Sequence, residues 1–168
     1  MAMNNFLQQK FGRLLLTCAI LACAFVATAA QQFPPIDIAD DFVAIGKLAA
    51  NRKAPIMLVF TRPECPYCSR AKKEHLEPLR VSQNYGAKII MREIVAADSR
   101  TVLRDFDGNT TSHGDFARKY DVRSVPTVLV VDSHGKPLAE PIIGLTSTDF
   151  YNLYLEQAID AGRLALRN

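Results

Sequence analysis

A chain of 168 residues can hold one domain of ordinary size, and its 20 basic and 17 acidic residues give a formal net charge of +3. Lys10 and Arg13 lie in an N-terminal stretch without acidic residues, and beyond that stretch 18 basic residues face the 17 acids. So small an excess gives no support to nucleic-acid binding, and we expect no nucleic-acid partner. Cys18 and Cys23 lie in the same stretch, so only two of the four cysteines remain beyond it, too few for a disulfide scaffold.

The N-terminus has the pattern of a secretory signal peptide over residues 1–30. Its basic start is followed by an apolar run from Leu14 to Val26, which is short for a membrane span, and then by small residues that suit cleavage. An uncleaved N-terminal anchor is the main alternative. In both interpretations the rest of the chain is exported, and residues 31–168 form one domain.

Hydrophobic periodicity and capping residues divide this domain into alternating helices and strands. The predicted helices cover residues 40–51, with Asp40 as the N-cap, 66–77, 112–120 and 147–161. The predicted strands cover residues 56–61, 88–95, 126–131 and 138–143. Pro78 should kink or end the second helix, and Asp107-Gly108 predicts a turn in the polar segment 96–111. Such alternation is typical of an α/β layer fold, and a hairpin of the last two strands would make its sheet mixed.

The stretch Cys65-Pro66-Tyr67-Cys68 lies where the first strand ends and a helix begins. Pro66 suits the first helical turn because its missing N–H would be unpaired there. Free N–H groups and the helix dipole stabilise negative charge at this end, so the Cys65 thiol should ionise more easily than a free cysteine, whose pKa is ~8.5. Cys68 lies in the same turn and can attack a mixed disulfide formed by Cys65. A strand, a C-x-x-C pair and a helix together predict a thiol–disulfide redox site.

This chain resembles the thioredoxin superfamily over nearly all of its mature length. The resemblance rests on the C-x-x-C stretch, on the segment from Lys119 to Thr127, and on the closing hairpin and helix. The segment 61–68 is similar to glutaredoxins, but the chain lacks the Gly-Gly-Asp-type segment with which glutaredoxins hold glutathione. The insert around Asp105 to Gly108 resembles exported bacterial thioredoxin-like proteins. The resemblance implies a thioredoxin-like α/β fold, with a central mixed β-sheet flanked by helices.

The resemblance also implies the roles of individual residues. In this superfamily the peptide bond before the proline of the distal motif is cis, and its loop lies against the redox pair, where it can bind an incoming peptide like an added strand. The reaction needs no bound cofactor. The implied site residues are the catalytic Cys65 and Cys68, the tuning residues Pro66 and Tyr67, and the substrate-binding residues Val125 and Pro126.

Departures from the family pattern leave the proton chemistry of the pair open. Thioredoxins carry a buried acid six residues before the first cysteine, where this chain has Val59, and a Trp just before the pair, where it has Glu64. Lys72, one turn beyond the second cysteine, could help that thiol lose its proton, although a helix lysine is more often solvated. His75 lies about 15 Å from the first cysteine along a helix, so we expect it to have a packing or surface role.

Patterns for a metal ion are incomplete in this chain. A zinc site would need two more ligands at suitable spacing from the cysteine pair. Asp105, Asp107 and Asn109 resemble the start of a calcium loop, but the glycine comes two positions early and Phe116 stands where the loop needs Glu. The sequence therefore predicts no metal site.

Three functional hypotheses follow. The leading one is a periplasmic thiol–disulfide oxidoreductase that reduces disulfides of exported proteins, acts as a monomer and is re-reduced by a membrane electron donor. The second is a disulfide oxidase or isomerase, although the chain lacks the inserted helical domain of periplasmic oxidases and the dimerisation domain of periplasmic isomerases. The third is a Cu(I) carrier that uses thiolate ligands, but no Met or His closely flanks the pair.

Overall fold

The computed structural model describes residues 32–145 and 147–167, and Phe33–Asn168 forms one compact unit. The signal peptide predicted over residues 1–30 lies outside the described residues. Among the helices that are described, none combines the length and the apolar composition needed to cross a membrane.

Helices and strands alternate along the chain, as the sequence predicts. The helices are α1 (Phe42–Arg52), α2 (Pro66–Ala71), α3 (Glu77–Val81), α4 (His113–Lys119) and α5 (Thr148–Ala165), with a π-helical turn at Lys72–Leu76 and a 3-10 turn at Gly86–Lys88. The strands are β1 (Ile56–Thr61), β2 (Ile90–Val95), β3 (Val102–Arg104), β4 (Thr110–Ser112), β5 (Thr127–Val131) and β6 (Ile142–Ile143).

Four strands form one sheet in the order β2-β1-β5-β6. β1 runs parallel to β2, with Val59 opposite Glu93, and antiparallel to β5, with Phe60 opposite Thr127. β6 pairs with β5 in the antiparallel sense. The central sheet is therefore mixed and flanked by helices, which confirms the predicted fold class. All six residues of β1 are buried, which explains why this strand is a continuous apolar run without alternation.

Side chains from the two faces of the sheet build two hydrophobic clusters. On one face Val59 and Met91 pack with Tyr151 of α5 and with residues of the helix that carries the cysteine pair. On the other face Phe42 of α1 and Phe116 of α4 stack with their ring centroids 4.7 Å apart. Each fully buried side chain of this size contributes about 1.5–3 kcal/mol relative to exposure. The sheet thus separates the redox helix from the pair of helices on its other side.

Helix α1 begins one residue later than the sequence predicts. The Asp41 carboxylate accepts the backbone N–H groups of Val43 and Ala44, so Asp41 is the N-cap and not Asp40. The Asp40 carboxylate instead accepts the Asp41 N–H, and the Asp40 carbonyl accepts the Arg104 N–H from β3.

Pro78 does not end the redox helix, which continues to Val81. Upstream of the proline the helix widens into the π-helical turn, where the Glu77 N–H bonds to the Lys72 carbonyl five residues earlier. Because Pro78 has no N–H to bond to the carbonyl four residues before it, the regular α-helical register is interrupted at this point. The interruption changes the hydrogen-bond register of the helix but does not end the helix.

Two strands are shorter than predicted by two residues or more. The 3-10 turn occupies the start of the expected second strand, so β2 begins at Ile90. In the segment 138–143 Leu138 donates its N–H to the Val130 carbonyl, but regular pairing resumes only at Ile142. Pro137 and Pro141 lie beside this gap, and neither can donate to a ladder.

The polar segment after β2 forms a small hairpin of β3 and β4, with its turn at Asp107-Gly108 as predicted. Asp105 is buried in this turn, where its carboxylate accepts the N–H groups of Asp107 and Asn109 and the Lys119 ammonium at 3.3 Å. The pattern that resembles a calcium loop is thus occupied by a lysine. Within the described ranges, no group of three or more His, Cys, Asp or Glu residues could hold a metal ion.

Candidate active site

The cysteine pair lies at the carboxyl end of the central strand β1. The strand ends at Thr61, and a short exposed loop leads to Cys65, which is the N-cap of α2. Glu64 adopts a left-handed conformation, with φ of +57°, immediately before the pair. Pro66 then occupies the first position of the helix. The predicted strand, C-x-x-C and helix are therefore joined as the sequence indicates.

Cys65 and Cys68 form a disulfide, with their Cα atoms 5.2 Å apart. The Cys65 sulfur also accepts the backbone N–H of Cys68 at 3.2 Å. An N–H that points at the sulfur stabilises negative charge there, as a helix N-terminus does for other anions. Cys65 is 7% exposed and Cys68 is 2% exposed, so an incoming sulfur meets Cys65 first. The arrangement can pass two electrons between this disulfide and another.

The two residues between the cysteines, both implied to tune the pair, are on the surface. Tyr67 is 63% exposed, and Pro66 is also exposed beside it. Neither adds a charge or a hydrogen bond to the sulfurs. Because neither side chain carries a positive charge, the first turn has no cation, such as an imidazolium, that would stabilise a thiolate.

The loop that contains Val125 and Pro126 lies at the same end of the sheet as the cysteine pair. Because β5 is antiparallel to β1, with Thr127 opposite Phe60, the residues just before β5 lie beside those just after β1. The Val125–Pro126 peptide bond is cis. The Pro126 carbonyl accepts the Gly144 N–H at 2.7 Å. Among the described residues none hydrogen-bonds to the N–H or the C=O of Val125.

One cavity opens beside the pair, and a second opens beside the loop that precedes it. One, of about 490 Å³, is lined by both cysteines and by residues of the redox helix and the loop before it. The other, of about 380 Å³, lies between that loop and the segment before β5, and Val125 is among its lining residues. Arg62 lines both cavities, and Arg123 lines the second. The second cavity therefore has two arginines and no acidic residue in its lining.

Glu93 is a buried acid that the sequence analysis missed. It is 7% exposed, and its Oε1 atom accepts the Thr61 hydroxyl at 2.6 Å and the Lys72 ammonium at 2.8 Å. Glu93 lies opposite Val59 on the neighbouring strand. The available signal was a charged residue inside an otherwise buried apolar strand. Its partners were not readable, since they come from distant parts of the sequence.

The two buried histidines have packing environments. His75 bonds through Nδ1 to the Asn152 amide oxygen at 2.9 Å and packs edge-on against Tyr151, which confirms the expected packing role. Burial raises the pKa of Tyr151 to about 12. His113 is completely buried at the start of α4, and its Nδ1 atom accepts the Val95 N–H at 3.1 Å. Burial lowers the pKa of His113, so the ring is neutral at neutral pH.

A C-x-x-C disulfide at the end of the central strand of this fold defines a thiol–disulfide oxidoreductase. The model of the thioredoxin-like domain family matches residues 43–159, so the chain belongs to that family. No curated protein matches the chain in sequence.

Solved structures share the fold at low sequence identity. A thioredoxin from Malassezia sympodialis is 13% identical with a TM-score of 0.51, over 80% of this chain and 98% of that one. Mitochondrial thioredoxin 3 from Saccharomyces cerevisiae, in its oxidised form, is 18% identical with a TM-score of 0.49, over 74% and 93%. A thioredoxin-fold protein from Helicobacter pylori is 21% identical with a TM-score of 0.48, over 66% and 72%.

Proposed function

We propose that this protein is an exported thiol–disulfide oxidoreductase that reduces disulfides of other exported proteins in the periplasm. The observation that carries the proposal is the position of Cys65. Cys65 is the more exposed of the two residues and caps a helix, and its sulfur accepts the Cys68 N–H at 3.2 Å. These features favour a thiolate at Cys65 once the pair is reduced.

The proposed reaction transfers two electrons from the pair to the substrate. The Cys65 thiolate attacks one sulfur of a substrate disulfide, forming a mixed disulfide while the other substrate sulfur leaves as a thiolate and takes up a proton. Cys68 then attacks the Cys65 sulfur. The Cys65–Cys68 bond forms, the mixed disulfide breaks, and the second substrate sulfur leaves as a thiol. The chemistry needs no bound cofactor.

The substrate would bind along the loop before β5. Val125 has a backbone N–H and C=O without partners among the described residues, and both are suited to pair with an extended peptide. The neighbouring Pro126 anchors the loop to Gly144. This role for Val125 and Pro126 is supported by the cavity that separates their loop from the loop before Cys65.

The compartment and the partners belong to the same proposal. The apolar, leader-like N-terminus supports export, and a reductant in an oxidising compartment needs a source of electrons. We assign that role to a membrane thiol reductase that would regenerate the dithiol. The protein would work as a monomer, because both reacting sulfurs lie in one chain.

Substitution of each cysteine tests the assignment of roles. Cys65→Ser should abolish reduction of a disulfide substrate such as insulin, whereas Cys68→Ser should accumulate mixed disulfides because the second attack is lost. Alkylation of the reduced wild-type protein at mildly acidic pH, read by peptide mass spectrometry, should label Cys65 first. Preferential labelling of Cys68 would reverse the two roles.

The redox potential tests the direction of electron flow. Strong periplasmic oxidants have potentials of about −120 mV, whereas thioredoxin has a potential of about −270 mV and glutaredoxins have potentials of roughly −200 to −230 mV. Pro66-Tyr67 contains no histidine that would stabilise a thiolate, so we expect a potential of roughly −200 to −270 mV. Equilibration with glutathione buffers, followed by alkylation of free thiols, measures it. A potential of about −120 mV would indicate that the protein is an oxidase.

A further inference from the structure

Glu93 lies on the face of the sheet that the redox helix covers. Along β2, Met91 belongs to the same hydrophobic cluster as Val59 and the redox-helix residue Ala71, and Glu93 follows Met91 by two residues on the same face. Its side chain is 9% exposed. A carboxylate buried among apolar groups is costly unless it is hydrogen-bonded and paired. Glu93 meets both conditions, because its Oε1 atom accepts a hydroxyl and pairs with an ammonium.

That cation comes from the redox helix. Lys72 follows Cys68 by four residues, so the two side chains lie on the same face of the helix. Both residues line the cavity of about 490 Å³ beside the disulfide. The Lys72 side chain is 27% exposed, and its ammonium lies 2.8 Å from Glu93 Oε1. Glu93 therefore fixes an otherwise flexible cation on the side of the helix that carries Cys68.

Other charges face the same cavity. Arg62 and Glu64 enter it from the loop before the pair and carry opposite charges. Lys73 and Glu77 enter it from the helix and also carry opposite charges. Lys72 differs from these four in that a buried carboxylate from another element holds its ammonium. The charged residues that line the cavity are Arg62, Glu64, Lys72, Lys73 and Glu77.

We propose that the Lys72 ammonium, positioned by Glu93, stabilises the thiolate of Cys68 in the step that releases the substrate. The proposal rests on the reductase chemistry described above and concerns only its second half. Thr61, at the end of β1, completes the arrangement by donating its hydroxyl to the same oxygen of Glu93. Glu93 is thus a positioning residue that acts through Lys72.

In the second half of the reaction Cys68 loses its proton and attacks the Cys65 sulfur of the mixed disulfide. The new bond is Cys65–Cys68, the bond that breaks joins Cys65 to the substrate, and the departing substrate thiolate takes up one proton. Lys72 keeps its own protons throughout and contributes charge. Because a nearby opposite charge favours the ionised form of a thiol, and Lys72 and Cys68 line the same cavity, loss of Lys72 should slow this step at pH values where Cys68 is mostly protonated.

The test follows both halves of the reaction in one stopped-flow experiment. The reduced full-length protein reacts with 4,4′-dithiodipyridine across pH 6 to 9, a range in which this disulfide is uncharged. The first thiopyridone is released when Cys65 attacks, and the second when Cys68 resolves the mixed disulfide. Lys72→Met should raise the pH midpoint of the second release by about one unit, which is about a ten-fold slower step below the midpoint. The first release should be unchanged.

Three further variants make the result specific. Lys72→Arg retains the cation and should restore the wild-type midpoint. Glu93→Gln retains an acceptor for Lys72 but removes the negative charge, so its midpoint should move downward, opposite to that of Lys72→Met. Arg70→Gln is the matched control, since it removes a cation from the same helix that pairs with Glu74 at 2.9 Å on the exposed side. It should leave both releases unchanged.

The outcomes separate this inference from the proposed function. A wild-type protein that releases only one thiopyridone would contradict the dithiol reaction itself. Two normal releases in wild type with the same second midpoint in Lys72→Met would overturn the role of Lys72. A midpoint that rises in Glu93→Gln while Lys72→Met keeps the wild-type midpoint would also overturn it, because Glu93 would then act on its own as the proton acceptor.

Discussion

Asp105 and Glu93 are both buried carboxylates that bind a lysine ammonium, yet the remaining partners of the two acids differ. Asp105 also accepts two backbone N–H groups of its own turn, from Asp107 and Asn109. Glu93 accepts only side-chain donors among the described residues, and both approach its Oε1 atom. The Asp105 carboxylate therefore accepts the backbone N–H groups of its own loop. Glu93 instead connects β1, β2 and the redox helix.

This difference separates a structural acid from one that can influence chemistry. Burial alone would raise the pKa of Asp105, but hydrogen bonds from Asn109 and Lys119 outweigh it and hold the pKa below its ordinary value. The hydrogen bond from Lys119 to Asp107 is in turn the main cause of the raised pKa of Lys119. The Asp105 carboxylate is occupied by donors of its own loop and by Lys119, and it does not line the cavity beside the cysteine pair. Glu93, in contrast, binds Lys72 of the helix that carries the cysteine pair.

The largest expected effect is on the Asp105 side of the comparison. Asp105→Ala removes a buried charge and leaves two backbone N–H groups and the Lys119 ammonium without it, so we expect a loss of about 3 kcal/mol in the free energy of unfolding. Urea denaturation of the oxidised protein measures this. The pH midpoint of the second thiopyridone release should be unchanged in the molecules that fold.

Asp107→Ala provides the matched control for that substitution. Asp107 is the exposed partner of the same lysine, at 2.9 Å, and an exposed ion pair contributes less than about 1 kcal/mol. If Asp107→Ala were as destabilising as Asp105→Ala, the stabilisation would come from the lysine pair and not from the backbone hydrogen bonds of Asp105.

A second prediction uses the buried His113. Burial lowers its pKa, while the charges of Asp98 and Glu93 act in the opposite direction. The unfolded chain therefore binds a proton at this residue at a higher pH than the folded protein does. Stability from the neutral ring is fully present above pH ~6.5 and is lost as the pH falls toward the lower pKa of the folded state, with a slope of at most about 1.4 kcal/mol per pH unit.

His113→Asn should reduce that acid sensitivity, because the amide oxygen can still accept the Val95 N–H but the side chain cannot be protonated. Unfolding free energies at pH 5, 6, 7 and 8 measure the slope. His134→Asn is the control, since His134 is exposed in the turn after β5 and should leave the slope as in wild type. An unchanged slope in His113→Asn would mean that other groups cause the acid sensitivity.

Much of the fold followed from local sequence patterns. The strand at residues 56–61 is a buried apolar run, Ser112 caps α4 by accepting the Asp115 N–H, and Asp107-Gly108 forms the hairpin turn. Each of these features depends on neighbours within a few positions. The placement of the redox pair was equally local, because it needs only a strand followed by a helix.

The remaining features depend on residues far apart in sequence. The role of Glu93 requires the register between β1 and β2, which places it opposite Val59 and next to Thr61. The π-helical turn depends on how the helix adapts to Pro78 while it packs on the sheet. The buried state of His113 arises from the packing of α4 on β2. None of these can be derived from periodicity alone.

The smallest expected effect is on the link between Glu93 and β1. Thr61→Val keeps the shape of the buried side chain and removes the hydroxyl that donates to Glu93 at 2.6 Å. Because Lys72 still compensates the charge of Glu93, we expect a loss of about 1 kcal/mol in the free energy of unfolding.

Thr127→Val is the control for this substitution. The Thr127 hydroxyl donates to the Ser124 carbonyl at 2.8 Å at the same end of the sheet, and its loss should cost a similar amount. The two variants should differ in chemistry: only Thr61→Val frees the Glu93 carboxylate to turn, which should shift the pH midpoint of the second thiopyridone release by a few tenths of a unit. A loss of about 3 kcal/mol in Thr61→Val alone would show that the Glu93 carboxylate depends on a fixed set of donors. Glu93 would then be a structural acid like Asp105.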